Sequence, residues 1–194
     1  MVSNKSFHTI HELSNLYNLK VHIHLQETSL ENSNSQQQYG MTPTERLNTL
    51  KLVNENLIAV HMTHATDKDI TLIAEHGASI IHCPKSNLKL ASGIAPISSF
   101  LKSNINTAIG TDGSASNNTL DMIEEARFTS LLAKVTPTNP EAVNASTTLE
   151  MATINGARAL GLDKEIGSIE NGKAADIIAI KIDNLLTIPL YDIP

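Results

Sequence analysis

Four short apolar runs, each closed by polar residues and separated by helix-forming stretches, limit this chain to one kind of architecture. The runs cover 20–25, 57–62, 78–82 and 107–110. They close on His24-Leu25-Gln26-Glu27, Val60-His61, His82-Cys83-Pro84 and Gly110-Thr111-Asp112. After the first run, Thr42-Pro43-Thr44-Glu45 opens a helix, with Thr42 as N-cap, Pro43 in the first turn and Glu45 three residues past the cap. After the second, Asp67 caps a helix through His76 that Gly77 ends. After the third, a loop to about Gly93 leads into a short helix at 97–101, and after the fourth a helix follows from Leu120. Ahead of them all, Phe7, Ile10, Leu13 and Leu16 recur at helical spacing. The polar stretch 32–38 reads as a flexible surface loop.

Strands that alternate with helices form a parallel sheet with right-handed crossovers. Their carboxyl ends then share one rim, the active rim of a (β/α) barrel or of an open doubly wound sheet. Only four units are present, whereas an eight-stranded barrel takes about 250 residues. Four parallel strands alone leave an edge unpaired and one side of the core open. The tail is different. Residues 147–160 read as a helix, and 167–176 followed by the apolar run 177–182 reads as a hairpin that needs a partner sheet.

Composition narrows the function. Of the 194 residues, 41% are hydrophobic, enough for a core, and with 3% aromatics and no Trp that core is aliphatic. A net charge of -6, with no basic stripe or aromatic platform, gives no reason to expect a nucleic-acid partner. The single Cys83 excludes an internal disulfide and fits a reducing compartment. No run approaches a membrane span, and residues 1–5 lack the apolar core of a signal peptide, so a soluble cytoplasmic protein is expected.

The strand-end residues carry the chemistry. His22 and His24 are two apart and share a strand face, an arrangement that can chelate a metal. Its company assigns His24 to the site, while His22 stays an ordinary rim histidine. Glu27 is either a solvated loop charge or a proton carrier beside a metal. His61 can orient or polarise a water molecule, and His64 is a structural partner at a helix entrance. His82 packs or anchors its loop, and Cys83 is a small buried hydrophobe. Ser86, Asn87 and Lys89 lie in a loop that covers substrate, or Asn87 only holds the loop's own backbone. Asp112 leads the set. Ser116, Asn117 and Asn118 are nearby to do any capping, which frees its carboxylate. An aspartate with histidines on one rim points to a hydrolytic metal site that activates water against an electrophilic carbon.

The chain at this point resembles the amidohydrolase superfamily, in particular the branch of 5'-methylthioadenosine/S-adenosylhomocysteine deaminases and related chlorohydrolases. The resemblance rests on His22-Ile23-His24-Leu25-Gln26-Glu27-Thr28, Ala59-Val60-His61-Met62-Thr63-His64, His82-Cys83-Pro84-Lys85-Ser86-Asn87-Leu88-Lys89-Leu90 and Gly110-Thr111-Asp112-Gly113-Ser114-Ala115-Ser116-Asn117-Asn118. It implies an α/β fold, the C-terminal half of a TIM-type (β/α)8 barrel (residues 1–160) with part of a small β-sandwich (161–194). It implies His24 and Asp112 as ligands of Zn²⁺ or another divalent metal, Glu27 as the acid that protonates the purine ring nitrogen, and His61 as the group holding the attacking water and the tetrahedral intermediate. Ser86 and Asn87 become candidates for binding a purine nucleoside. Attack at C6 of adenine would release ammonia. Family members carry a further metal-binding HxH pair on a first barrel strand that has no counterpart here. The resemblance therefore implies that the fragment is inactive unless the N-terminal half of the barrel is supplied. Guanine, cytosine or triazine substrates, a half-barrel binding module that pairs as a homo-oligomer, and a nonfunctional remnant are the alternatives.

Overall fold

The computed structural model describes residues 2–135 and 138–181. Helix α1 (Asn4–Tyr17) leads into β1 (Val21–Leu25). Helices α2 (Ser29–Tyr39) and α3 (Pro43–Thr49) connect to β2 (Leu57–His61), and α4 (Asp67–Glu75) connects to β3 (Ser79–His82). Helices α5 (Pro84–Lys89) and α6 (Ile97–Lys102) precede β4 (Thr107–Ile109). Then come α7 (Ser114–Asn117), α8 (Met122–Val135), α9 (Ala145–Ala152) and α10 (Ile154–Leu160).

The strands form one parallel sheet in the order β1-β2-β3-β4, with Ile23 level with Ala59, Ala59 with Ile80 and Ile80 with Thr107. Each strand lies beside its predecessor in sequence. A doubly wound sheet reverses its strand order part-way; this one does not, which is the winding of a barrel. Leu25, Leu57, Ala59, Ile80 and Ile109 form one apolar cluster with Leu47 of α3, Ile73 of α4, Phe100 of α6 and Ala133 of α8. That cluster fixes one face of the sheet against its helices. β2 and β4 are buried throughout, whereas on β1 both His22 and His24 are exposed. Beside the other outer strand, β4, Asn155 of α10 donates its side-chain amide to Thr107 O at 3.0 Å, and its backbone carbonyl accepts from Asn106 Nδ2 at 3.0 Å. β1 pairs with β2 alone among the described residues.

Several expectations are corrected. The stretch 32–38 belongs to α2, because Thr28 caps the helix by accepting from Glu31 N, Gly40 ends it in the left-handed region, and Asn32 donates to His64 O at 2.8 Å. The polar character that suggested a loop reflects a helix held by hydrogen bonds. Helix α4 is capped by Thr66 rather than Asp67, through a reciprocal capping box with Asp69. The expected loop after β3 begins as α5, with Pro84 in its first turn. The helix expected over 147–160 is two helices, broken at Thr153 (φ -131°, ψ -95°). In the tail, a turn closes where Lys173 N donates to Glu170 O at 3.2 Å, but no strand forms among the described residues of 161–181. A hairpin there needs a neighbouring sheet to pair with; residues 182–194 lie outside the described residues. No helix among the described residues is long and apolar enough to cross a membrane.

Candidate metal and proton-transfer site

The carboxyl ends of β1, β2 and β4 bring three side chains together. One ligand atom each from His24, His61 and Asp112 lies within 4.8 Å of the others. His24 Nε2 is 3.9 Å from Asp112 Oδ1, and His61 Nε2 is 4.0 Å from Asp112 Oδ2. The two imidazoles meet edge-on, with ring centroids 4.9 Å apart. Glu27, just past β1, places Oε2 3.8 Å from His61 Nε2. That nitrogen is buried and without a hydrogen bond. A buried polar atom left open toward two carboxylates and a second imidazole is where a divalent cation fits.

Each member is held by the fold. Asp112 sits on a left-handed turn (φ +58°), and its Oδ2 accepts from the Ser86 hydroxyl at 2.6 Å and the Ser116 hydroxyl at 2.9 Å. Oδ1 is left toward His24. Burial alone would raise the Asp112 pKa. Hydrogen bonds from Ser86, the Gly113 backbone and Ser116, with the His61 ring nearby, outweigh it and hold the carboxyl below its ordinary range. Asp112 is therefore anionic at neutral pH. At His61 the backbone turns out of the ladder (φ +76°, followed by Met62 at +49°), and Nδ1 lies 2.8 Å from Asn87 Oδ1. Glu27 is fixed three ways: its N–H donates to Glu31 Oε2 at 3.0 Å, its carbonyl accepts from Thr63, and its Oε1 accepts from the Ser92 hydroxyl at 3.1 Å.

The structure brings His24, His61 and Asp112 together, with Glu27 beside His61. Ser86 and Asn87, named as substrate-binding candidates, are buried and bond Asp112 and His61. Both lie in the helical turn of α5. His22, exposed on β1, is outside the three-residue group, as expected of a rim histidine. Its pKa is lowered by partial burial and by His24 beside it. His64 is structural, donating from Nε2 to Ser92 O at 2.7 Å. His82 is buried with neither ring nitrogen bonded, and burial, with His61 nearby, pushes its pKa down to about 3. Burial first, then the neighbouring carboxylates, pushes the Cys83 thiol up to about 12, the behaviour of an inert thiol.

Sequence reasoning missed the supports. Gln26, fully buried, donates to Asp69 Oδ2 at 3.0 Å and to His64 O at 3.2 Å, tying β1 to the loop after β2. Asn117 donates to Thr111 O and to Glu125 Oε1, each at 2.6 Å, and so pins the loop that carries Asp112. Glu125 is buried, and that burial raises its pKa against the pull of Asn117 and Lys85. Ser92 had one signal, a small residue beside Gly93, which takes φ +126° against the His64 ring.

A parallel β/α sheet that gathers two imidazoles and a carboxylate at its strand ends defines a barrel-type site for a divalent cation. The chain belongs to the amidohydrolase family, whose sequence profile matches residues 2–192. It is 48% identical over 179 residues to the 5'-deoxyadenosine deaminase of Methanosphaera stadtmanae, covering 92% of this chain and 42% of that protein. It is 47% identical over 173 residues to the 5-methylthioadenosine/S-adenosylhomocysteine deaminase of Moorella thermoacetica, covering 89% of this chain and 40% of that protein. The crystal structure of an adenosine deaminase from Xanthomonas campestris with bound zinc superposes with a TM-score of 0.97 at 47% identity, covering 100% of this chain and 44% of that one. The chain thus spans less than half the length of these relatives.

Proposed function

We propose that this chain carries the C-terminal part of an aminohydrolase site that removes the 6-amino group of an adenosine-type nucleoside, 5'-methylthioadenosine or S-adenosylhomocysteine, as ammonia. The observation that carries the reading is the convergence of His24, His61 and Asp112, with Glu27 beside them. The names of the two curated relatives support the substrate class. His24 and Asp112 would hold Zn²⁺ or another divalent metal, with His61 Nε2 facing the same space. When bound, such an ion supplies Lewis acidity that brings the pKa of water toward neutrality. Asp112, ionised and held by two serines, takes the proton from the attacking water. His61, buried and fixed, orients that water toward C6. Glu27, steadied by Ser92, delivers a proton to the ring nitrogen as the C–N bond breaks. Ser86 and Asn87 serve by positioning Asp112 and His61.

Catalytic zinc sites take three protein ligands and keep one position open. His24 and Asp112 are two, and the exposed His24 lies on a strand with a free edge. The working site on this reading is completed by a polypeptide supplying the N-terminal barrel half, in a soluble cytoplasmic enzyme. The test is to express this chain and the N-terminal half of the Moorella relative separately. Each is assayed alone and mixed, with Zn²⁺, for ammonia release from 5'-methylthioadenosine, S-adenosylhomocysteine, guanine and cytosine. Turnover of the first two by the mixture only is expected. Robust turnover by this chain alone contradicts the need for a partner, and an assembled but inactive mixture contradicts the deaminase reading.

A further inference from the structure

We infer that Asn87 sets the tautomer of His61, holding its proton on Nδ1 so that Nε2 presents a lone pair to the site; this deepens the reading of His61 given above. A neutral imidazole carries one proton, and the hydrogen bond made by one ring nitrogen decides which nitrogen holds it. His61 Nδ1 is 2.8 Å from Asn87 Oδ1, and an amide oxygen only accepts, so with the amide in this orientation, which leaves Asn87 Nδ2 buried and unbonded, Nδ1 is the donor. Both side chains are buried, His61 at 0% and Asn87 at 1% exposure, so no solvent competes for that proton. The other nitrogen, Nε2, is buried, unbonded, and within 4.8 Å of a nitrogen of His24 and an oxygen of Asp112. An N–H there would turn a proton into the space that the other two ligand atoms surround. A lone pair there can bind a cation or accept from water.

The adjacent residue does the matching task for the carboxylate. Ser86 and Ser116 both occupy Asp112 Oδ2, which leaves Oδ1 on the His24 side. Residues 86 and 87, consecutive in one turn of α5, therefore decide which nitrogen of His61 and which oxygen of Asp112 are offered to the site. In this arrangement Asn87 acts through His61 and is a positioning residue.

The test needs no turnover. The full 194-residue chain is labelled with ¹⁵N-histidine, and long-range ¹H–¹⁵N spectra are recorded about two pH units above the ordinary imidazole pKa. The His61 signals are assigned from their loss in His61→Gln. In the unsubstituted chain the Nδ1 signal is expected to be of the protonated type and the Nε2 signal of the unprotonated type. Asn87→Asp, which keeps an acceptor, is expected to preserve that pattern, and Asn87→Leu to move the proton to Nε2. An Nε2–H or doubly protonated His61 in the unsubstituted chain overturns the inference, as does a folded Asn87→Leu that keeps Nδ1–H. Should Asn87→Leu fail to fold, the unsubstituted and Asn87→Asp spectra still decide. Loss of the deaminase reading would appear in the ammonia assay and leave these spectra unchanged.

Discussion

His82 carries an imidazole to a place where neither ring nitrogen finds a partner. Its pKa of about 3 stands against an ordinary value of about 6.5. The unfolded chain takes up this proton as pH falls through about 6.5, while the folded chain does not until near the lower value. The unfolded state binds more protons throughout that window, so stability falls as pH falls, by up to about 1.4 kcal/mol per pH unit from this group. His82→Leu is expected to flatten that slope and to leave the chain more stable in mild acid. Urea unfolding across the window measures it, and an unchanged slope would assign the acid sensitivity elsewhere. Ser86 offers a second residue-level prediction. Ser86→Ala removes one of two donors that hold Asp112 Oδ2 and should weaken Zn²⁺ binding by about tenfold, the usual scale for a partner that orients a ligand. Competition against a chromophoric chelator reads the change, and an unaltered affinity would mean Ser116 alone sets the carboxylate.

At the scale of elements, helix α3 shows what a sequence states openly. Thr42, Pro43 and Glu45 sit within four residues, and the structure completes both halves of the capping box they announce. The Thr42 hydroxyl also donates to Asp69 Oδ1 on α4, joining two helices through one side chain. Thr42→Ala should therefore cost about 1–2 kcal/mol, the upper part of the range for a lost cap, in equilibrium denaturation. A loss of only a few tenths would show that water replaces both bonds. Helices α2, α5 and α7 were not legible, because apolar periodicity reports packing against a core, and these helices bury Ser35, Ser86, Asn87 and Asn117 instead. The same division runs through the site. His24, Glu27, His61 and Asp112 were legible because each closes or follows an apolar run. Their supports were not: Ser92 is 65 positions from Glu27, and Gln26 is 43 from Asp69. No local pattern encodes bonds made only once the sheet has brought those segments together. Ser86 and Asn87 were picked out by motif for a loop, and they lie in the helical turn of α5, bonded to Asp112 and His61.

Among the described residues β1 and β4 are the two outer strands of the sheet. At β4, Asn155 of α10 bonds Thr107 O, and β1 pairs with β2 alone among the described residues. Beside β1 lies a groove of about 670 Å³ lined by Val2, Phe7, His22, Leu30, Pro43 and Leu47, and α1 exposes Leu13, Leu16 and Tyr17. Val21 N donates to Asn56 O, and Leu25 O accepts from Met62 N. Alternate residues of a parallel ladder bond the same neighbour, so the amides of His22 and His24 face the free edge. A partner that pairs there binds the folded chain and not the unfolded one. Its stabilisation follows mass action, about 2.7 kcal/mol at a hundred times its dissociation constant. At about 2–4 °C per kcal/mol for a chain of this size, the N-terminal half of the Moorella relative should raise the melting temperature by about 5–10 °C at that concentration. His22→Pro removes one edge donor at a position where an edge strand tolerates proline. It should leave the melting of the chain alone nearly unchanged and abolish most of the rise on adding the partner. A rise that survives His22→Pro would place the contact away from β1, and a rise with concentration of this chain by itself would make a second copy, not a barrel half, the molecule that covers the edge.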